Sequence, residues 1–151
     1  MKTLSSTDDL TSIRSRIALI SPTDSALWGS MSAPQMLLHL TDAFKYPLGE
    51  RPVAPFKSLP IPRFLFKWLA LSFPMKWPKG IKAPPEIDSR IGGTPPADFE
   101  ADRAVLLNKL DGFARASGRL PPHPIFGPLT TAEWMRWGYL HTDHHLRQFG
   151  H

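Results

Sequence analysis

Two histidines near the end of the chain have the spacing of a metal-binding pair. His141 and His145 are one helical turn apart, so on a wheel of about 100° per residue they lie within about 40° of each other. Trp134 and Trp137 share this side of the wheel, whereas the charged side chains lie opposite: Arg136, Asp143 and Arg147. We therefore predict that both imidazoles point into the protein interior, where histidines at i and i+4 can bind one divalent metal.

A third ligand must come from elsewhere in the chain, because two histidines do not complete a metal site. His39 is the candidate, since it lies in the middle of a second predicted helix. Three neutral imidazoles leave at least one coordination position open, which is typical of catalytic rather than structural sites. Imidazole ligands suit zinc, nickel, copper or iron(II), and the sequence does not choose among them; zinc or nickel is the expected ion. The alternative is that these histidines are hydrogen-bonded core residues with no metal.

Three neighbouring residues have other expected roles. His144 lies at the edge of the same helix face and stays open as either a surface residue or a substitute ligand. His123 precedes Pro124 in a rigid connector, which favours a role in shaping that loop. Asp42, one turn after His39, is expected to contact either a ligand or solvent.

The composition excludes several classes of catalytic site. The chain of 151 residues has no cysteine, which removes thiolate zinc sites, iron–sulfur clusters, disulfides and a cysteine nucleophile. The sequence also contains no nucleophilic triad, phosphate-binding loop or dinucleotide-binding fingerprint. The catalytic residues therefore stay unidentified, and the nucleophile of any reaction is expected to come from substrate or solvent.

The elements that must position these histidines are predicted to be helices. Apolar residues recur at three- and four-residue steps, and no segment alternates as a half-buried strand does. Ser32 is a good helix N-cap, and Thr130 with Glu133 has the spacing of a capping box. The predicted long helices cover about 8–20, 35–44, 97–116 and 130–148. We expect an all-α fold in which a single domain, residues 1–151, forms an antiparallel four-helix bundle.

A long proline-rich insertion, at about 46–97, interrupts the predicted bundle. Eleven of the seventeen prolines lie there, which leaves room for one short helix at 63–72. The segment 45–82 is basic, with eight Lys/Arg against one acid. The alternative function is therefore a non-catalytic binding module that uses this segment to meet an anion or an acidic surface. Its aromatic run, residues 64–73, is expected to pack over the mouth of the bundle, with membrane-surface binding as the less favoured alternative.

The cellular location is expected to be cytoplasmic. The most apolar stretch, residues 64–73, is far shorter than the roughly 20 residues that cross a bilayer. The first ten residues, MKTLSSTDDL, lack the apolar core of a signal peptide. We therefore predict no membrane span, and no nucleic-acid partner is expected.

Four blocks of the sequence together resemble the DinB-like superfamily of metal-binding four-helix bundles, and more narrowly a bacterial branch of unknown function. The blocks are residues 28–40 (WGSMSAPQMLLHL), 123–127 (HPIFG), 133–134 (EW) and 141–150 (HTDHHLRQFG). In that superfamily one histidine of the second helix and two of the last helix bind a divalent metal. The resemblance thus implies His39, His141 and His145 as ligands in this chain.

The resemblance also implies a class of activity. Some relatives transfer low-molecular-weight thiols, and others have been described as metal-dependent hydrolases. The expectation is therefore a metal-dependent enzyme with an open three-histidine site that transfers a low-molecular-weight thiol to an electrophile or hydrolyses a small substrate. That small molecule is the expected partner. Whether the chain forms a homodimer is left open by the sequence. The insertion at 46–97 departs from the superfamily pattern and would alter the opening through which a substrate reaches the site.

Overall fold

The computed structural model describes residues 1–55, 62–73, 76–80 and 84–151. Within these ranges the chain is all-α, with five α-helices, one short 3-10 turn and no β-strand. The α-helices are α1 (Thr7–Leu19), α2 (Ala33–Lys45), α3 (Arg63–Leu71), α4 (Phe99–Ala114) and α5 (Thr131–Gln148), and the 3-10 turn is Pro85–Ile87. The prediction of an all-α chain is confirmed, and each predicted helix is present with its ends within two residues of the expected positions.

Capping boxes fix the starts of α2 and α5, the two helices that carry the candidate ligands. At α2 the Ser32 side chain accepts from the N–H of Gln35, whose own side chain accepts from the N–H of Ser32 at 2.9 Å. Thr130 and Glu133 form the same reciprocal pair at α5. Each box satisfies N–H groups that a helix start leaves free, so both helices begin where the sequence predicts.

The core lies where α1 and α2 each contact α4 and α5. Its centre is an aromatic cluster of Phe44, Phe113, Trp134 and Trp137, whose neighbouring ring centroids are 5.1 to 6.1 Å apart. Gly138 of α5 lies against this cluster, and a Cβ there would come within 2.7 Å of the Phe113 ring. The absence of a side chain at this position is therefore what lets Phe113 pack directly on α5.

Helix α3 packs onto the rest of the molecule with one side only. Phe66 contacts Phe126 with ring centroids 5.6 Å apart, and Leu71 is buried. On the other side Phe64 and Trp68 are 73% and 52% exposed. The aromatic run is therefore packed against the molecule on one side of α3 and exposed on the other, where the expectation of a packed run is wrong.

A buried carboxylate fastens the later part of the proline-rich segment to α2. Asp42 is fully buried and accepts hydrogen bonds from the N–H and the hydroxyl of Thr94, at 2.6 and 2.8 Å. Lys45 and Arg51 place their charges 3.1 and 3.3 Å from the same carboxylate. Among the described residues, the hydrogen bonds of Asp42 therefore serve this chain connection and do not reach His39 one turn earlier.

No helix in the described ranges has the length and apolar character needed to cross a bilayer. Helix α5 is the longest, with 18 residues, and it carries charged side chains along one side: Arg136, Asp143 and Arg147.

Candidate metal centre

Three histidines converge at one point between α2 and α5. His39 occupies the middle of α2, whereas His141 and His145 lie one turn apart on α5. His39 and His141 are only 3% and 9% exposed, and His145 is partly buried. The structure therefore brings together the three residues that the sequence analysis selected.

The imidazole nitrogens are close enough to share one cation. Nε2 of His39 lies 3.1 Å from Nε2 of His141. One ring nitrogen from each of the three histidines belongs to a set whose members all lie within 4.8 Å of one another. Two nitrogens bound to one tetrahedral zinc at about 2.0–2.1 Å are about 3.3 Å apart. The 3.1 Å pair already has about this spacing, and the cluster could hold a metal ion once the nitrogens that lie further apart move closer.

His39 presents a lone pair at Nε2 because its other ring nitrogen is already engaged. Nδ1 of His39 lies 2.8 Å from the backbone carbonyl oxygen of Ile87. A carbonyl oxygen can only accept, so Nδ1 carries the proton and donates it, and the lone pair of the neutral ring is on Nε2. Ile87 belongs to the 3-10 turn, so the proline-rich segment supplies the group that orients this α2 histidine.

His145 is oriented in the same way by a glutamine on its own helix. The side-chain nitrogen of Gln148 donates to the carbonyl oxygen of Trp28 at 2.7 Å, which leaves its Oε1 facing Nδ1 of His145 at 2.8 Å. Because Oε1 can only accept, Nδ1 of His145 carries the proton. The lone pair of His145 is therefore also on Nε2.

His141 has no orienting hydrogen bond of this kind. Its Nδ1 is buried and lacks a partner among the described residues. The rings of Trp77 and Trp137 flank it instead, with centroids 6.1 and 5.0 Å away. Without a metal, Nε2 of His141 must donate to Nε2 of His39, since the latter holds a lone pair. To bind a cation, His141 would have to keep its proton on Nδ1 instead.

Burial keeps the three imidazoles neutral. It lowers the pKa of His39 below its ordinary value, although the hydrogen bond to Ile87 opposes the shift. Burial, reinforced by the neighbouring histidines, lowers the pKa of His141 and of His145 well below the ordinary value. The neutral imidazole is the form that binds metals, so burial holds these side chains ready for a cation at neutral pH.

His144 lies beside the cluster and forms one of its walls. Its ring centroid is 5.2 Å from that of His145, and it stands between the rings of Trp28 and Trp77 at 5.8 and 6.3 Å. Among the described residues, the nitrogens grouped closely enough to share a cation do not include one from His144. The side chain is partly buried, so it is neither a freely exposed surface residue nor a member of the three-histidine group.

His123 shapes a loop, as its place beside Pro124 predicts. Its Nδ1 accepts from the N–H groups of Ile125 and Phe126 at 3.1 and 3.3 Å. Burial lowers its pKa to about 3, so the ring is neutral. An imidazole whose Nδ1 accepts two backbone N–H groups organises its own loop and has no nitrogen lone pair left for a metal.

Four contributors to the site were not identified from the sequence: Trp28, Trp77, Ile87 and Gln148. Gln148 falls on the same side of the α5 wheel as the histidines, so its position was accessible from the pattern although its role was not. Trp77 and Ile87 come from the proline-rich segment, and no local periodicity relates that segment to α2 or α5.

Comparison with known proteins places the chain in a family. No curated protein and no solved structure matches it. The family model described as "Protein of unknown function (DUF1569)" matches residues 4–151. Because this match covers nearly the whole chain and contains all three converging histidines, the protein belongs to this family of unknown function.

Proposed function

We propose that this protein is a metal-dependent enzyme whose divalent cation, zinc or nickel, is bound by Nε2 of His39, His141 and His145. The observation that carries the proposal is the convergence of three neutral imidazoles, two of which have lone pairs fixed by hydrogen bonds at Nδ1. Among the three Nε2 atoms, those of His39 and His145 hold lone pairs, and without a metal the one proton on Nε2 of His141 can satisfy only one of them, whereas a cation would engage all three.

The proposed activity is transfer of a low-molecular-weight thiol to an electrophile, with hydrolysis of a small substrate as the second reaction. When bound, the cation would act as a Lewis acid and lower the pKa of a thiol or a water molecule. Three histidines leave a position for that group. The chain has no cysteine of its own, so the thiol must come from a substrate. Trp28, Trp77 and His144 line one side of the cluster and would exclude bulk water there.

The proposal includes membership of the DinB-like superfamily. It is supported by the contacts among α1, α2, α4 and α5, and by the origin of the three histidines on the second and the last helix. We assign these four helices to an antiparallel four-helix bundle in a single domain, residues 1–151. The insertion at about 46–97, which includes α3 and the 3-10 turn, joins α2 to α4. A cytoplasmic location and a small-molecule partner belong to the same proposal, and fractionation of cells that express the protein tests the location.

Metal analysis of protein purified without a metal-binding tag tests the site. We expect one divalent metal per chain, retained after exhaustive dialysis. His39→Ala, His141→Ala and His145→Ala should each lose it, because two imidazoles bind a cation far more weakly than three. His151→Ala is the matched control, since His151 pairs with Asp24 away from the cluster. Full metal retention in all three variants would disprove the proposed ligand set.

Activity assays test the reaction class separately from the site. After chelation and addition of zinc, nickel or manganese, thiol transfer to an electrophile and hydrolysis of activated esters would each be measured. We expect the thiol reaction to require the metal, and His145→Ala to lose metal and rate together. A His145→Ala variant that is fully active without metal would exclude a metalloenzyme, and the non-catalytic binding module would replace it.

A further inference from the structure

Helix α3 carries a concentrated exposed apolar surface. Of the ten large hydrophobic side chains exposed in the described part of the chain, five lie between residues 64 and 73: Phe64, Leu65, Trp68, Leu69 and Phe73. The first four of these fall within an arc of about 140° on the helical wheel. They form one continuous face, which we call the α3 outer face and define by these five residues.

Contacts on the opposite side hold α3 in this orientation. Lys67 pairs with Glu133 of α5 at 2.8 Å. The backbone carbonyl of Leu71 accepts from Nε of Arg136 at 3.1 Å, and that of Ala70 accepts from Nε1 of Trp77 at 2.8 Å. The helix therefore cannot turn its apolar arc inward without breaking these contacts. The outer face is a fixed feature of the fold.

The segment of sequence that contains the outer face is basic, although Arg51 and Lys67 are paired with Asp42 and Glu133. Residues 51–85 contain seven Lys/Arg and no Asp or Glu. Lys76 and Lys79 follow α3 directly and are exposed. Lys57 and Lys82 belong to the same stretch and lie outside the described residues. An exposed aromatic face flanked by basic side chains matches the interface of an anionic bilayer, where rings insert among headgroups and cations meet the lipid phosphates.

We propose that the α3 outer face docks the protein peripherally on a membrane rich in anionic lipids. A second copy of the chain fits this face less well, because a symmetric contact would bring two strongly basic stretches together. The docking surface is independent of the metal proposal. Trp77 connects α3 to the candidate metal centre, because its Nε1 donates a hydrogen bond to the carbonyl of Ala70 and its ring packs on His141.

Vesicle co-sedimentation tests the proposal with the full chain. The probes are phosphatidylcholine vesicles and vesicles in which a third of the lipid is phosphatidylglycerol. We expect binding to the anionic vesicles only, and weakening of that binding as salt is raised. Phe64→Ser/Trp68→Ser should reduce the bound fraction by about tenfold or more, because two interfacial aromatic anchors are removed. Lys76→Glu should weaken binding to anionic vesicles by a smaller factor.

The matched control replaces two hydrophobic residues outside the face that are at least as exposed as Trp68. Leu19 and Ile91 are 69% and 72% exposed, and Leu19→Ser/Ile91→Ser should bind vesicles as the wild type does. Far-UV circular dichroism and metal content should be unchanged in both double variants. No binding to either vesicle, binding independent of lipid charge, or full binding by Phe64→Ser/Trp68→Ser would each overturn the proposal. A dimer that this variant dissociates, without vesicle binding by the wild type, would assign the face to self-association.

Discussion

Gln148 provides the sharpest test of how the site is organised, because it contacts one proposed ligand, His145, and is not itself a proposed ligand. Its Oε1 accepts from Nδ1 of His145 at 2.8 Å, and its side-chain nitrogen donates to the carbonyl of Trp28 at 2.7 Å. The side chain is 5% exposed, so water does not readily replace it. Gln148→Ala should leave all three histidines in place. Without the acceptor, however, the proton of His145 is no longer fixed on Nδ1 and its ring orientation is no longer restrained.

The expected loss follows from these contacts. Removing the partner that orients a metal-bound histidine typically lowers metal affinity by about 10- to 100-fold. This corresponds to about 1.4–2.7 kcal/mol of binding free energy. Gln148→Glu should recover most of the affinity, because a carboxylate also accepts from Nδ1 of His145. It should still lose stability, since it no longer donates to the Trp28 carbonyl.

Competition with a chromophoric chelator measures the metal affinity, and urea titration of the metal-free protein measures stability. Gln35→Ala is the matched control: its side chain accepts from the N–H of Ser32 at the start of α2 and contacts no histidine. It should reduce stability by about 0.5–1.5 kcal/mol, the loss of one hydrogen bond, with metal affinity unchanged. Wild-type affinity in Gln148→Ala, or an equal loss in Gln35→Ala, would refute the view that Gln148 orients His145.

Three further predictions concern the framework around the site. Asp42→Ala removes the buried acceptor of two hydrogen bonds from Thr94. It should lower the free energy of unfolding, measured by urea titration, by about 3 kcal/mol. A loss under about 1 kcal/mol would contradict the anchoring role of Asp42. Gly138→Ala places a Cβ within 2.7 Å of the Phe113 ring and should cost about 1–3 kcal/mol by overpacking, seen as a lower thermal midpoint. Burial lowers the pKa of His123 to about 3 from its ordinary value of 6.5. The ring therefore stays neutral in the folded protein, whereas His123 of the unfolded chain takes up a proton. The free energy of unfolding should therefore fall as pH falls from about 6.5 towards 3, by about 1.4 kcal/mol per pH unit for this group. His123→Asn should reduce the slope of unfolding free energy against pH by that amount. Equal slopes in the wild type and the variant would exclude a buried neutral ring at His123.

The helices were predictable because their signals are local. Ser32 with Gln35 and Thr130 with Glu133 specify helix starts within four residues of sequence, and the structure contains both boxes. The wheel of α5 separates the histidines from the charged residues without reference to any other element. The inward direction of His141 and His145 therefore followed from the chain itself.

The partners of the site were not predictable because they are distant in the sequence. The acceptor for His39 is the carbonyl of Ile87, 48 residues away, and the residue that donates two hydrogen bonds to Asp42 is Thr94, 52 residues away. A backbone carbonyl carries no residue-type signal, so no motif could have indicated it. The outer face of α3 was misjudged for a related reason: an apolar run shows that a face exists, whereas the structure alone shows whether another element covers it.

The proline-rich segment is an integral part of the candidate site. Ile87 orients His39 from one part of the segment, and Trp77 packs on His141 from another. Trp77 also donates to the carbonyl of Ala70 in α3, so the helix that carries the proposed membrane surface is hydrogen-bonded to a residue beside the candidate metal centre. Helix α3 is also held directly on α5 by the pair Lys67–Glu133 and by the hydrogen bond from Arg136 to the carbonyl of Leu71. The position of α3 and the surroundings of His141 are therefore set by the same group of contacts, which is why the proline-rich segment cannot be treated as a loop separate from the helices.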